Sequence, residues 1–92
     1  MSYEVRFTDT ALRELARLQP VTRRRIRAKA GRLAEDPRPQ GATRSAGTRH
    51  LWRLRVGDHR VIYAVRDQVL LVIVVRVGSR EHVYDRLDDV DA

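Results

Sequence analysis

Arginine is concentrated where the sequence predicts two adjacent β-strands. Leu51–Val56 and His59–Arg66 each have the two-residue periodicity of a strand, and the Gly-Asp dipeptide between them suits a two-residue hairpin turn. Counting outward from that turn places Arg55 opposite Arg60, with Arg53 on the same face. Guanidinium groups grip phosphate oxygens bidentately, so this face is a candidate site for a phosphate.

The predicted pairing of Arg55 with Arg60 also has an electrostatic cost. Like charges directly opposite each other destabilise a strand pair by roughly a few tenths to 1 kcal/mol. A chain that accepts this cost is a candidate to hold an anion between the two side chains. The alternative is a solvated outer face on which the arginines splay apart, and spacing alone leaves both interpretations open.

A second group of polar side chains follows the longest apolar run, residues 69–75, which an almost continuously apolar segment extends to residue 77. The Gly-Ser dipeptide after it is predicted to end the strand, at the same end of the sheet as the hairpin turn. In an extended segment Arg80, His82 and Tyr84 share one face. Cations stabilise charge developing on phosphorus, a titratable group moves protons, and tyrosine stacks on unpaired bases. The combination suits phosphoryl transfer on RNA.

The amino-terminal third of the chain is predicted to supply a strand and a first helix. Residues 3–7 alternate polar and apolar side chains, as in a half-buried strand. Thr8 suits a helix N-cap, and Asp9 would lie in the first turn, where the helix dipole favours an anion. The apolar face of this helix comprises Ala11, Leu12, Leu15 and Leu18.

A second helix is predicted from Pro20, which suits a first helical position, to about Asp36, which precedes a proline. Its apolar stripe is Ile26, Ala30, Leu33 and Ala34. Its remaining surface is crowded with cations, namely Arg23, Arg24, Arg25, Arg27, Lys29 and Arg32. Binding of a polyanion such as nucleic acid and simple solvation are both open for this surface.

These elements predict an α+β fold with one domain, 1–92. An N-terminal strand and a helical hairpin precede an antiparallel β-meander, with the helices packed on the face that carries Trp52 and Tyr63. Residues 36–50 are predicted to form a long surface loop, and Asp67 and Gln68 a turn. Residues 81–84 are predicted as a short last strand, followed by a mobile acidic tail at 85–92.

Composition narrows the classes of partner and cofactor. The 92 residues include 19 Lys and Arg against 12 Asp and Glu, a net charge of +7, which favours nucleic acid or an acidic protein. There is no cysteine, and His50, His59 and His82 lack metal-ligand spacing, so neither a metal nor another cofactor is expected. With neither an apolar run of about 18 residues nor a signal-peptide pattern, an intracellular protein is expected.

The segments LWRLRVGDHRVIYAV and VLLVIVVRVGSREHVY resemble the RelE/ParE toxin superfamily of bacterial toxin–antitoxin systems. The resemblance covers most of the chain and implies the RelE-like, microbial RNase-like fold. It also implies a ribosome-dependent mRNA interferase that cuts messenger RNA in the A site. In such toxins a 2′-hydroxyl attacks the adjacent phosphate and leaves a 2′,3′-cyclic phosphate and a free 5′-hydroxyl, without a metal.

When the catalytic positions of these toxins are aligned with this sequence, they fall on residues named above. The implied catalytic residues are Arg53, Arg55, Arg60, Arg80 and Tyr84. RelE proper has lysines at the first two positions, and an arginine with a pKa above about 12 is no general base at neutral pH. RelE proper also has two more residues before the tyrosine. His82 is the candidate for the proton-transfer role.

The resemblance also implies partners and leaves alternatives. The implied partners are a cognate RelB-like antitoxin, the ribosome and mRNA, and operator DNA bound through the antitoxin; a cytoplasmic protein without membrane contact is expected. One alternative is a ParE-like poison of DNA gyrase. The other is a catalytically weak member whose basic face mainly binds the antitoxin.

Overall fold

The computed structural model describes residues 2–44 and 51–79, which form an α+β fold. In chain order the elements are β1 (Glu4–Phe7), α1 (Asp9–Ala16), α2 (Pro20–Arg32), β2 (Thr43–Arg44), β3 (Leu51–Val56), β4 (His59–Arg66), a 3₁₀ turn (Asp67–Val69) and β5 (Leu71–Ser79). The predicted strand–helix–helix–meander order is confirmed. The strand predicted at residues 81–84 and the tail at 85–92 lie outside the described residues.

The strands form one mixed sheet in the spatial order β1-β5-β4-β3-β2. β3, β4 and β5 are the predicted antiparallel meander. β1 pairs in parallel with β5, from Glu4 opposite Leu71 to Phe7 opposite Val74. A parallel pair needs a long crossover, and the chain that carries both helices supplies it.

Four local predictions need correction. The second helix ends at Arg32, four residues before Asp36, because the next backbone hydrogen bonds link residues three apart, as in the bond from the Ala34 amide to the Gly31 carbonyl. The loop predicted at 36–50 contains β2, whose two residues pair with β3 because its chain runs alongside that edge. The turn predicted at Asp67 and Gln68 is a 3₁₀ turn that ends in left-handed Leu70, with φ 53°, so β5 begins later than residue 69. The break predicted at Gly78 and Ser79 is wrong, because the backbone ladder to β4 continues through both residues.

Thr8 joins α1 to the sheet. Its Oγ1 accepts a hydrogen bond from the Ala11 amide (3.1 Å), which caps the helix, and donates one to the Val75 carbonyl (3.1 Å). Its own amide donates to the Val74 carbonyl at 2.9 Å. The predicted cap is confirmed, and it also fixes where the helix leaves the end of β1. Neither helix is long and apolar enough to cross a membrane, within the described residues.

The main core lies between the helices and one face of the sheet. Its members from α1, α2 and the C-cap of α2 are Ala11, Leu15, Ile26, Ala30 and Leu33. Trp52 and Tyr63 pack in this core as predicted, and Tyr63 is fully buried. Leu12 is 43% exposed although it was assigned to the apolar face, because it lies about 100° around the helix from Ala11.

Glu14 of α1 covers the part of β5 that β1 leaves unpaired. β1 pairs only as far as Val74, and beyond it the Glu14 carboxylate accepts hydrogen bonds from the Val77 amide (2.9 Å) and from Arg76 Nε (3.0 Å) and a terminal nitrogen (2.9 Å). The two side chains are 21% and 11% exposed. The carboxylate thus takes the place of a neighbouring strand for this amide.

Replacing Glu14 with alanine is expected to lower the free energy of unfolding by about 2–3 kcal/mol, because the variant leaves the Arg76 guanidinium and an amide without their acceptor. Urea denaturation measures the change. The matched control is Glu4→Ala, which breaks an exposed pair with Arg6 and should cost less than about 0.5 kcal/mol. Equal effects of the two substitutions would contradict this role for Glu14.

Candidate functional site

The β3–β4 hairpin places Arg55 directly opposite Arg60. Gly57 begins the two-residue turn with φ +60°, a conformation that L side chains rarely adopt. From this turn the pairing runs from Val56 opposite His59 through Arg55 opposite Arg60 and on along both strands. The register predicted by counting is therefore confirmed, and it places two like charges on neighbouring strands.

Arg53 follows on the same face of β3, two residues from Arg55. It pairs with Ile62 on one side and with Thr43 of β2 on the other, and its Nε donates a hydrogen bond to Thr43 Oγ1 at 3.2 Å. β2 thus has a function in the site, since it supplies an acceptor that orients this arginine. Sequence reasoning missed Thr43 because a two-residue strand has no detectable periodicity.

The three arginines belong to the face of the sheet opposite the helices. Their strand neighbours Leu54 and Val56, and Val61 of β4, pack in the helix-side core, and alternation directs Arg53, Arg55 and Arg60 the other way. Arg53 and Arg60 are half-buried, whereas Arg55 is exposed. The predicted sharing of one face is therefore confirmed.

An apolar cluster lies on the arginine-bearing side of the sheet as well. Its buried members are Leu51, Ile62, Ala64 and Val75, with Ile73 packed against them. Ile62 lies opposite Arg53 in the ladder. The cluster could have been found from the sequence, because the segment VIYAV in β4 is apolar at successive positions and so presents apolar side chains to both faces.

The guanidinium of Arg55 bends toward the tip of the hairpin. Its Nε donates a hydrogen bond to the Gly57 carbonyl at 3.2 Å. In this position Arg55 also lines a groove that α2 borders, together with Val56 and Gly57. Arg55 therefore connects the arginine-bearing face of the sheet with the cationic surface of the second helix.

Three arginines on or beside the sheet form ion pairs with carboxylates. The ion pairs among residues 2–44 and 51–79 are Arg6 with Glu4, Arg38 with Asp67 and Arg76 with Glu14. None of them includes Arg55 or Arg60. Facing like charges repel each other by about 0.2–1 kcal/mol, and no carboxylate of the described residues forms an ion pair with either side chain. An anion bound at the hairpin would remove that cost.

A hydrogen-bonded cluster fixes the opposite end of the sheet. Asp67 accepts two hydrogen bonds from Arg38, at 3.1 and 2.7 Å, and one from the Tyr3 hydroxyl at 2.7 Å. These bonds lower the pKa of Asp67 to about 2, and the bond to Asp67 raises the pKa of Tyr3. The cluster anchors the segment that leads to β2. Its members are far apart in the sequence, and no local pattern predicts it.

Two aromatic side chains on the helix face strengthen this anchor. The Arg38 and Arg44 guanidiniums lie over the Trp52 ring, 5.4 and 5.7 Å from its centroid. The Tyr63 hydroxyl donates to the Pro37 carbonyl at 2.8 Å, and burial raises the pKa of Tyr63 to about 12. A phenol with this pKa stays protonated at neutral pH, so Tyr63 is no candidate for a general base.

The other predicted site residues lie outside the described residues. These are Arg80, His82 and Tyr84, together with His50. The last described residues before them, Gly78 and Ser79, pair with Arg60 and His59. Within 2–44 and 51–79, no three His, Cys, Asp or Glu side chains gather as a set of metal ligands.

Comparison with known proteins identifies the family. The family model described as the ParE toxin of type II toxin–antitoxin systems matches residues 5–84. The chain belongs to this family. It is a toxin of a type II toxin–antitoxin system, and the RelE/ParE resemblance of its sequence is confirmed.

Curated relatives of this toxin are RelE-like. It is 31% identical over 87 residues to toxin RelG of Mycobacterium tuberculosis, a match that covers 94% of this chain and 100% of the relative. It is 31% identical over 83 residues to the mRNA interferase toxin RelE of Escherichia coli, covering 88% and 86%. The RelBE toxin–antitoxin complex of M. tuberculosis matches with a TM-score of 0.77 and 29% identity, covering 87% of this chain and 100% of that one.

The Asp67 cluster is expected to make the stability of the toxin depend on pH. The pKa of Asp67 is about 2 in the folded toxin and near 3.8 in the unfolded chain, so the charged carboxylate stabilises the fold at pH values above 3.8. This stabilisation is lost as the pH falls through about 2. Asp67→Asn should therefore lower the melting temperature at pH 7, and the difference from wild type should shrink toward zero near pH 2. A difference that stays constant from pH 7 to pH 2 would contradict the assignment.

Proposed function

We propose that this toxin is a metal-independent endoribonuclease that cuts mRNA in the ribosomal A site and so inhibits translation. The observation that carries the proposal is the facing pair Arg55 and Arg60, two cations without a described carboxylate partner on one face of a hairpin. The relative named mRNA interferase, with 31% identity over most of both chains, supports it. A phosphodiester is the anion that both observations favour.

In the proposed reaction, the ribose 2′-hydroxyl of the nucleotide before the cut attacks the adjacent phosphorus. The new O2′–P bond forms as the P–O5′ bond breaks, which leaves a 2′,3′-cyclic phosphate and a 5′-hydroxyl. Arg53, Arg55 and Arg60 bind the phosphate oxygens and stabilise the negative charge that develops there. Arginine does not act as a proton acceptor at neutral pH, so these three residues contribute charge and hydrogen bonds only.

Proton transfer needs groups other than these arginines. The 2′-hydroxyl loses a proton and the leaving 5′-oxygen gains one, so the step requires an acceptor and a donor. We assign the acceptor role to His82, since histidine has an ordinary pKa near 6.5 and exchanges protons at neutral pH, and solvent water supplies the proton that the leaving 5′-oxygen takes up. Arg80 is proposed to bind the same phosphate, and Tyr84 to stack on a base of the message.

The proposed partners follow from the toxin class and from the small size of the chain. A solved relative is a complex of toxin with antitoxin, which supports a cognate RelB-like antitoxin for this toxin. The pair is proposed to bind operator DNA through the antitoxin. So small a protein offers few contacts to orient a flexible message. The ribosome is therefore proposed to hold the message in the geometry needed for in-line attack.

A second candidate function is poisoning of DNA gyrase. The family model that matches residues 5–84 is described by the ParE toxin and its parDE system, and this name favours the candidate. The facing arginines at the hairpin favour RNA cleavage, because a bound phosphate would offset the repulsion between their charges. RNA cleavage breaks messenger RNA, whereas gyrase poisoning breaks DNA. One experiment that detects both kinds of break therefore separates the two functions.

The decisive variant is Arg60→Ala. In a reconstituted translation reaction followed by primer extension, the wild-type toxin should cut the message at codon-spaced positions. Loss of one group that stabilises transition-state charge should slow cutting about 100-fold or more. The matched control is Arg13→Ala, which removes an exposed arginine of α1 and should cut as fast as wild type.

Two outcomes would overturn these assignments. If Arg60→Ala cuts as fast as the wild-type toxin, the hairpin arginines are not the active site. If the message stays intact with the wild-type toxin while gyrase-dependent DNA breaks accumulate, the second candidate function is correct. Purified cognate antitoxin should bind Arg60→Ala and wild type equally, which shows that the variant is folded.

A further inference from the structure

A groove of about 320 Å³ lies between the second half of α2 and the β3–β4 hairpin. The lining residues are Arg25, Ala28, Lys29, Arg32, Arg55, Val56 and Gly57. Four of them are cations and none is a carboxylate. The groove borders the proposed active site but is built mainly from the helix on the other side of the sheet.

The helix that borders the groove carries no negative charge of its own. α2 contains no Asp or Glu between Pro20 and Arg32. Arg25, Lys29 and Arg32 take no part in the ion pairs of the described residues. Their potential therefore adds up inside a concave surface, where it attracts an anion most strongly.

The spacing of the three helical cations fits an extended polyanion. Arg25, Lys29 and Arg32 follow each other at intervals of four and three residues, which places them on one side of the helix over about 10 Å. Like charges at these intervals repel one another and weaken an isolated helix. A row of cations about one helical turn apart suits a polymer with a negative charge on every nucleotide.

The apolar content of the groove argues against a protein as its main ligand. Interfaces between proteins are anchored by buried aromatic and large apolar side chains. The apolar lining of this groove consists of Ala28 and Val56. Contacts made almost entirely by Arg and Lys are typical of binding to a phosphate backbone.

We propose that this groove binds the phosphate backbone of a structured RNA segment that is distinct from the cleaved phosphodiester. This inference extends the proposed function and rests on it, because it requires that the toxin acts on RNA. Arg55 borders both sites, since its strand position is opposite Arg60 and it also lines the groove with Gly57, whose carbonyl accepts a hydrogen bond from Arg55 Nε. The groove positions the toxin on RNA so that the hairpin arginines meet the message.

The test compares two double variants of the full-length toxin with the same net charge. The variant Arg25→Ala/Lys29→Ala removes two positively charged side chains from the lining of the groove. Arg24→Ala/Arg27→Ala removes two exposed arginines of the same helix that do not line it. The probe is a short synthetic RNA duplex, and its affinity is measured by fluorescence anisotropy over a series of salt concentrations.

The groove variant should bind the duplex at least about tenfold more weakly at low salt. Its slope of log K against log salt should be shallower by about 1.4–1.8, the value for two lost phosphate contacts. The control variant should keep the wild-type slope. Equal losses in the two variants would show that net charge alone acts, and this result would overturn the proposal.

Two further measurements separate this inference from others. If polyglutamate binding depends on Arg25 and Lys29 while duplex binding does not, the groove takes an acidic protein and the proposal is wrong. If the wild-type toxin cuts no message yet the groove variant alone loses duplex binding, the groove site is supported and the proposed function fails. If the toxin cuts and the groove variant cuts and binds as wild type, only the groove proposal fails.

Discussion

The register of the β3–β4 hairpin is the constraint on which the rest of the structure depends. Side chains alternate between the faces of a strand, so a slip of one residue would exchange the two faces of β3. Trp52, Leu54 and Val56 would leave the helix-side core, and the arginines would enter it. Gly57, with φ +60°, fixes the turn that sets this register. One residue of the turn therefore decides both the packing of the core and the position of the arginines.

The arginines on and beside the sheet differ in what lies next to their guanidinium groups. At one end, Arg38 is held by Asp67 and lies over Trp52, and along β5, Arg76 is held by Glu14. These pairs stabilise the sheet. At the hairpin, Arg55 and Arg60 face each other, and no carboxylate of the described residues pairs with them. The contrast separates cations that hold the fold together from cations that we propose bind a ligand.

Local patterns in the sequence predict the local parts of this structure. The hairpin register follows from the turn and from two-residue periodicity, and the α1 cap follows from Thr8. Contacts between distant segments have no local signature. The parallel pairing of β1 with β5 and the contact of Glu14 with Arg76, 62 residues away, depend on how the helices cross the sheet.

The site was predictable to the same extent. Arg53, Arg55 and Arg60 lie on one face because strand pairing alone determines it. The acceptor that Thr43 gives to Arg53, and the groove that Arg55 shares with α2, arise from tertiary packing. Arg80, His82 and Tyr84 stay predictions.

The central claim is that Arg55 and Arg60 repel each other until an anion binds between them. The direct measurement is the melting temperature of wild type and Arg60→Gln at low salt, with and without a short single-stranded RNA. Without RNA the variant should be at least as stable as wild type, and RNA should raise the melting temperature of wild type more than that of the variant. A variant that is less stable without RNA, or equal shifts with RNA, would contradict the claim.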